Sequence, residues 1–237
     1  MRRFWVAVSM ALWTIAVFFA ANRGYASWSG RLRDKEGWDV VTFDRTEVLG
    51  DERNTVGPRS ALYVIVEFGD YQCPFCRSAE REKARFLDST RGMVRIVFRQ
   101  LPLVSIHNRA MKAAIASEAA SEQGKFVPMH RLLMSSDLDT VSLTKDARAA
   151  SLDLERVSRS ASGSARKNVI NDLAAAKTLG VSGTPTFFLV TPDREVRRFD
   201  SFSHLSQFVS RELGIAPPGD VDSPSGNCGP QNNRCGP

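Results

Sequence analysis

At 237 residues, with 43% hydrophobic and 24% charged residues, the chain has room for one large domain or two small ones and the composition of an ordinary globular protein. Its net charge of +6 comes from arginines scattered along the sequence, without aromatic stacking motifs, so a solvated basic surface explains the charge better than nucleic-acid binding does. Four cysteines fall into two local pairs, a usage that suits an oxidising compartment.

The chain opens with Met1, Arg2 and Arg3, followed over residues 4–21 by an uncharged and mostly apolar run. That run exceeds the usual core of a secretory signal and reaches the lower limit of a membrane span. Residues 1–26 therefore read either as a signal peptide cleaved after Ala26 or as an anchor with Arg2 and Arg3 inside, and the length favours the anchor. Either reading places the rest of the chain in the periplasm or another extracytoplasmic space. Residues 27–59 are polar and read as a linker or lead-in, with a short edge strand over 38–43.

The run from Leu62 to Phe68 is rich in β-branched and aromatic residues and predicts a buried strand. Residues 77–87 predict a helix, and 93–98 alternate as another strand. From His107 to Lys177 no strand signal interrupts the sequence. An alanine-rich helix carries Ala110, Ala113, Ala114, Ala119 and Ala120, and further helices follow over 129–134, 144–151, 154–162 and 165–177. Asp153 is a candidate N-cap for the helix over 154–162. Residues 186–190 and 196–199 read as closing strands, and 204–213 as a last helix stopped by Gly214. Residues 216–237 are rich in Pro, Gly, Asn, Asp and Ser and read as an irregular tail.

Between the first strand and its helix stands Cys73-Pro74-Phe75-Cys76. A cysteine at a helix start meets unpaired N–H groups and the positive end of the dipole, which favour the thiolate that attacks disulfides. Pro74 suits the first turn, where a missing N–H costs nothing. Cys73 is therefore the candidate nucleophile, expected to be exposed and acidic, and Cys76 the shielded resolving thiol. The competing readings are a structural disulfide and half of a zinc site. Zinc needs a second ligand pair, and His107, His130 and His204 form no H-x₃₋₅-H spacing, so no metal is expected. Glu67 lies in the apolar strand six residues before Cys73. Buried, it would have a raised pKa and exchange protons near neutrality; at a sheet edge it would only face water.

Val66-Glu67-Phe68-Gly69-Asp70-Tyr71-Gln72-Cys73-Pro74-Phe75-Cys76 resembles the active-site segment of DsbA-like thiol–disulfide oxidoreductases, which have the thioredoxin fold. So do Phe98-Arg99-Gln100-Leu101-Pro102-Leu103, His107, Ala110, Gln123-Gly124-Lys125-Phe126 and Met129-His130. Gly180-Val181-Ser182-Gly183-Thr184-Pro185-Thr186-Phe187-Phe188 resembles the family's cis-proline segment. The likeness covers about residues 60–213. It implies an α/β, thioredoxin-like domain over 60–215 with a helical insertion at about 104–180, preceded by the N-terminal hydrophobic segment. It also implies that the family's buried acid falls at Glu67, and that the Thr184–Pro185 bond is cis and set against the cysteines. Thr184 would pair with an extended substrate chain, and Pro74 and Phe75 would stand at the substrate face. Phe75 departs from the histidine of the best-known oxidases, so their extreme oxidising power does not carry over.

The sulfur pair is then the redox centre and no cofactor is needed. The substrates expected are reduced or unfolded proteins, with a DsbB-like membrane partner restoring the disulfide. A reductase or isomerase is the rival within the class, and a redox-inert binding module the rival outside it. Intact Cys73, Cys76, Glu67 and Pro185 argue against the inert module. His107 and His130 are expected to pack or cap helices. Cys228 and Cys235, six residues apart in the tail, read as a local disulfide staple or as a relay to Cys73–Cys76.

Overall fold

The computed structural model describes residues 43–216, together with the backbone of two short strands, β1 (Leu32–Arg33) and β2 (Asp39–Val40). The elements that follow are α1 (Arg45–Leu49), β3 (Thr55–Val56), β4 (Tyr63–Gly69), α2 (Pro74–Ser89), β5 (Val94–Gln100), α3 (Ala110–Ser121), α4 (Phe126–Leu133), α5 (Thr140–Ala149), α6 (Leu154–Ser162), α7 (Ser164–Thr178), β6 (Thr186–Val190), β7 (Val196–Phe199) and α8 (Phe202–Leu213). Five strands form one sheet in the order β3-β5-β4-β6-β7. β4 runs parallel to β5 and antiparallel to β6, and β3 and β7 close the edges antiparallel to their neighbours.

β4 is the central strand and is buried along its whole length. Its unbroken apolar run follows from that position, because both faces are covered. Val64, Val66 and Phe68 point to one side and pack with Val97, Phe188, Val48 and Leu49. Ile65 points to the other, where Phe86 of α2 and Phe202, Leu205 and Val209 of α8 cover Phe187 and Leu189. Phe86 meets Phe202 edge-on at 5.6 Å between ring centres. Truncating a phenylalanine buried this way costs about 3–5 kcal/mol. At the end of β4 only glycine fits: a Cβ on Gly69 would lie 2.4 Å from Phe98 Cε2.

α3 to α7 lie in sequence between β5 and β6, as a helical insertion requires. Their core gathers Ala113, Ala120, Phe126, Met129 and Leu133 around Tyr71 and Phe98. Capping sets two of the helices. Asp153 accepts from the N–H groups of Glu155 and Arg156 at the start of α6, and Asp139 accepts from Ser142 at the start of α5. A seam of charge fixes the block to the sheet. Glu118 accepts from Arg53 Nε at 2.6 Å, from Asn54 and from Gln100 Nε2 at 3.1 Å. Asp172 accepts from Arg99 Nε and from the Gln100 N–H, both at 2.9 Å.

The lead-in departs from expectation. β2 pairs with β1 in a separate two-stranded sheet, so it is not the edge of the main sheet. That edge is β3, a strand of two residues and too short to show a period. α1 and the polar pair Arg53 and Asn54 also come from this stretch and are tied into the core and the seam. Among the described residues no helix is long and apolar enough to cross a membrane. The apolar run over 4–21 and the tail cysteines Cys228 and Cys235 lie outside the described residues.

Candidate active site

β4 ends at Gly69, and three residues then turn the chain into α2. Asp70 organises that turn. Its Oδ1 accepts from Gln72 N at 2.7 Å, and its Oδ2 accepts from Leu103 N at 2.8 Å and meets His107 Nδ1 at 2.8 Å. Its backbone carbonyl accepts from Cys73 N, and its own N–H points at Cys76 Sγ, 3.5 Å away. His107 therefore ties the loop after β5 to the turn that carries the cysteines.

Cys73 is the N-cap of α2 and Pro74 its first residue. Both sulfurs are unbonded thiols. The Cys73 thiol is pulled down to about 5. The Cys76 thiol donating to it is the largest cause; burial opposes, and Thr184 and the N–H groups of Cys76 and Phe75 add to the lowering. The Cys76 thiol is raised, first by that same shared hydrogen bond, then by burial and by the charge of Glu67. The proton of the pair thus resides on Cys76. Exposure does not separate the two as expected. Cys73 is only 4% exposed and Cys76 is fully buried, so the distinction is one of proton affinity.

Thr184–Pro185 is cis, 111 residues along the chain from Cys73. The strand order brings it back, because β6 lies beside β4. Cys73 Sγ lies 3.4 Å from the Thr184 carbonyl oxygen. Pro74 and Phe75 face outward, Phe75 being 72% exposed. Val104 and Ile106, on the loop held by Asp70, are exposed as well.

Glu67 sits in the middle of the central strand and is fully buried, which removes the sheet-edge alternative. Its Oε2 accepts from Lys83 Nζ, while Oε1 has no hydrogen-bond partner among the described residues. Burial raises its pKa and the Lys83 ammonium opposes that only in part. Lys83 is buried too and is shared with Glu80 at 2.7 Å. Burial would lower its pKa, but the two carboxylates together raise it. His130, on α4, completes the group. Its Nδ1 lies 2.9 Å from the Tyr71 hydroxyl and its Nε2 lies 3.4 Å from Glu80 Oε2. The packing role expected for His130 is present, with Phe98, Phe126 and Tyr71 rings about it.

Asp70, Glu80 and Lys83 were not singled out from the sequence. A signal existed for two of them: Cys76, Glu80 and Lys83 are spaced i, i+4 and i+7, which is one face of a helix. Among the described residues no cluster of three or more His, Cys, Asp or Glu could hold a metal ion.

Comparison with known proteins agrees with this fold. A family profile described as thioredoxin matches residues 51–209. A solved thioredoxin-like oxidoreductase from Silicibacter pomeroyi is 30% identical, covering 73% of this chain and all of that one, with a TM-score of 0.61. The thiol-disulfide exchange protein α-DsbA2 of Wolbachia pipientis shares the fold at 19% identity, covering 71% of this chain and 91% of that one, with a TM-score of 0.59. A curated relative, the Na(+)/H(+) antiporter NhaA 3 of Salinispora tropica, is 41% identical over 143 residues, which is 59% of this chain. The match spans only 22% of that antiporter's length.

Proposed function

The chain belongs to the thioredoxin family, and we propose that it is a DsbA-like thiol–disulfide oxidoreductase that works outside the cytoplasm as an oxidase of reduced, incompletely folded proteins. The observation that carries this reading is the Cys73 thiol held at about 5 at the start of α2. A stabilised thiolate favours the reduced pair, and a pair that prefers to be reduced is an oxidant. A substrate thiolate attacks Cys73 Sγ of the oxidised pair, and a mixed disulfide forms. Cys76 leaves with the electrons of the broken S–S bond. A second substrate thiolate then attacks the substrate sulfur, and Cys73 departs as the thiolate its site stabilises.

Glu67 is the group that supplies a proton to Cys76, or removes it in the reverse direction. Thr184 and Pro185 border the sulfur and offer backbone to an extended chain, as in strand addition. Phe75, Val104 and Ile106 give unfolded apolar segments a surface to rest on. The apolar run over 4–21 serves as an anchor, and a DsbB-like membrane protein restores the disulfide. Fractionation of cells should find the protein with the membrane; a soluble form starting at Ser27 would show a cleaved signal instead.

Phe75 favours a second reading, a reductase, because the residue between the cysteines differs from that of the strongest oxidases. The reduction potential of Cys73–Cys76 decides between them. The oxidase reading expects a value less negative than about −200 mV, and one near −270 mV, in the thioredoxin range, would overturn it.

A further inference from the structure

The geometry points to His130 as a positioning residue of the redox centre: by holding Glu80 against Lys83, it sets how readily the buried Glu67 takes up and releases the proton of Cys76. This rests on the exchange reading and adds a part for the helical insertion. The need arises from the chemistry of the second sulfur. When a substrate thiolate bonds to Cys73 Sγ, Cys76 leaves as a thiolate and must be protonated. In reverse, the Cys76 thiol must lose its proton before it attacks Cys73 Sγ of a mixed disulfide. Cys76 is fully buried, so the proton passes through a neighbour. Glu67 is the titratable group whose charge raises Cys76, apart from Cys73 itself.

Glu67 must then exchange its proton with solvent, and a cavity of about 440 Å³ allows it. Glu67, Glu80, Lys83 and His130 line it, and Arg131 stands in its wall. The unpartnered Oε1 belongs to a carboxylate on this cavity.

Lys83 divides one positive charge between two carboxylates. His130 decides the division. Its Nδ1 lies 2.9 Å from the Tyr71 hydroxyl, and in the tautomer that accepts there the Nε2 N–H faces Glu80 Oε2, 3.4 Å away. Glu80 is a quarter exposed and could otherwise turn outward. Burial would raise its pKa, yet the neighbouring His130 imidazole and Lys83 ammonium bring it to about 2. Glu80 is thus an anion at every working pH, and Lys83, though bonded to Glu67, divides its charge between the two carboxylates. The charged and titratable groups facing His130 are Glu67 from β4, Glu80 and Lys83 from α2, and Tyr71 from the active-site turn. Glu118 of α3 stands behind Tyr71, and Arg131 follows His130 on its own helix. With the imidazole gone, Glu80 turns to solvent and Lys83 closes on Glu67 alone, so Glu67 stays ionised to lower pH.

The test uses the full chain with 13C-labelled glutamate, following the Glu67 carboxyl by NMR against pH in His130→Phe, His130→Gln and the parent. The rate at which a model peptide thiol opens the Cys73–Cys76 disulfide is read over the same range. His130→Phe should lower the Glu67 midpoint by about one pH unit, a tenfold change in proton affinity, and shift the rate profile equally. His130→Gln, which keeps an N–H donor, should restore most of both. If His130→Phe folds and moves neither, the inference fails. Should His130→Phe not fold, Glu80→Gln takes its place, because it too leaves Lys83 to Glu67 alone; an unmoved Glu67 midpoint there also overturns the inference. A parent protein that exchanges no disulfides would instead refute the functional reading, while the Glu67 titration would still report on His130.

Discussion

Two buried charge clusters of this one domain are finished differently. In the seam between the helices and the sheet, both oxygens of Glu118 and both oxygens of Asp172 accept hydrogen bonds, from Arg53, Asn54, Gln100 and Arg99. Under the cysteines, Glu67 keeps one oxygen unpartnered, borders a cavity, and shares its lysine with a second carboxylate. Burial raises the pKa of Glu118 as well as that of Glu67, so a perturbed carboxylate alone does not mark a reaction centre. The difference lies in what each group has left to do. A fully bonded carboxylate holds two elements together. One with an unused lone pair, a route to water and a neighbouring thiol can pass a proton.

The largest expected effect sharpens this contrast from the structural side. Glu118→Leu takes the buried acceptor from Asn54 and Gln100 and one of three carboxylates from Arg53, and should cost about 3 kcal/mol in chemical denaturation. Cys73 should titrate unchanged in that variant; a displaced thiol pKa would mean the two clusters are coupled. On the catalytic side, Glu67→Gln should slow opening of the Cys73–Cys76 disulfide about a hundredfold, the low end for a positioned proton donor. Stability at pH 8 should hold or rise, because burial disfavours the Glu67 anion more than Lys83 favours it. A strong loss of stability with an unchanged rate would assign Glu67 to the same class as Glu118.

A smaller effect is expected in the pH dependence of the redox forms. The Cys73 thiol is depressed in the folded reduced protein, to about 5. The resulting preference for the reduced form is therefore complete above the unperturbed thiol pKa and is lost as pH falls through about 5. Melting temperatures of the reduced and oxidised forms should converge between about pH 8 and pH 4. A constant gap would show that thiolate stabilisation is not what separates them. The smallest effect lies far from both clusters. Asp153→Ala should cost about 1 kcal/mol by removing the cap of α6, without altering disulfide exchange.

The parts legible in the sequence were those written locally. The strand, the Cys73 helix start, the Asp153 cap and the Gly214 stop each depend on a few adjacent residues, and the structure has them at those places. The resemblance located Thr184 and Pro185, which no local rule could join to Cys73. The remainder was settled by packing between distant segments. Lys83 looks like a surface lysine until α2 lies down on β4. His130 reaches Glu80 only because α4 folds back on α2, and nothing in the helical run indicates which helix will do so. Thr55 and Val56 form an edge strand because Val97 and Ile96 are there to pair with them. Cys73 is shielded by a carbonyl more than a hundred residues away.

That last separation has a consequence for how the molecule comes into being. β4 emerges early and its partner β6 late, with six helices and β5 between them. Pairing the two strands closes a long loop, an entropic cost that must be met before the contact is gained. The helices can form from local contacts first and shorten the distance to be closed. Until β6 arrives, Cys73 lacks the Thr184 carbonyl and Glu67 is covered on one flank only. The newly made chain therefore passes through a stage in which its thiols lack the neighbours that set them apart in the finished fold.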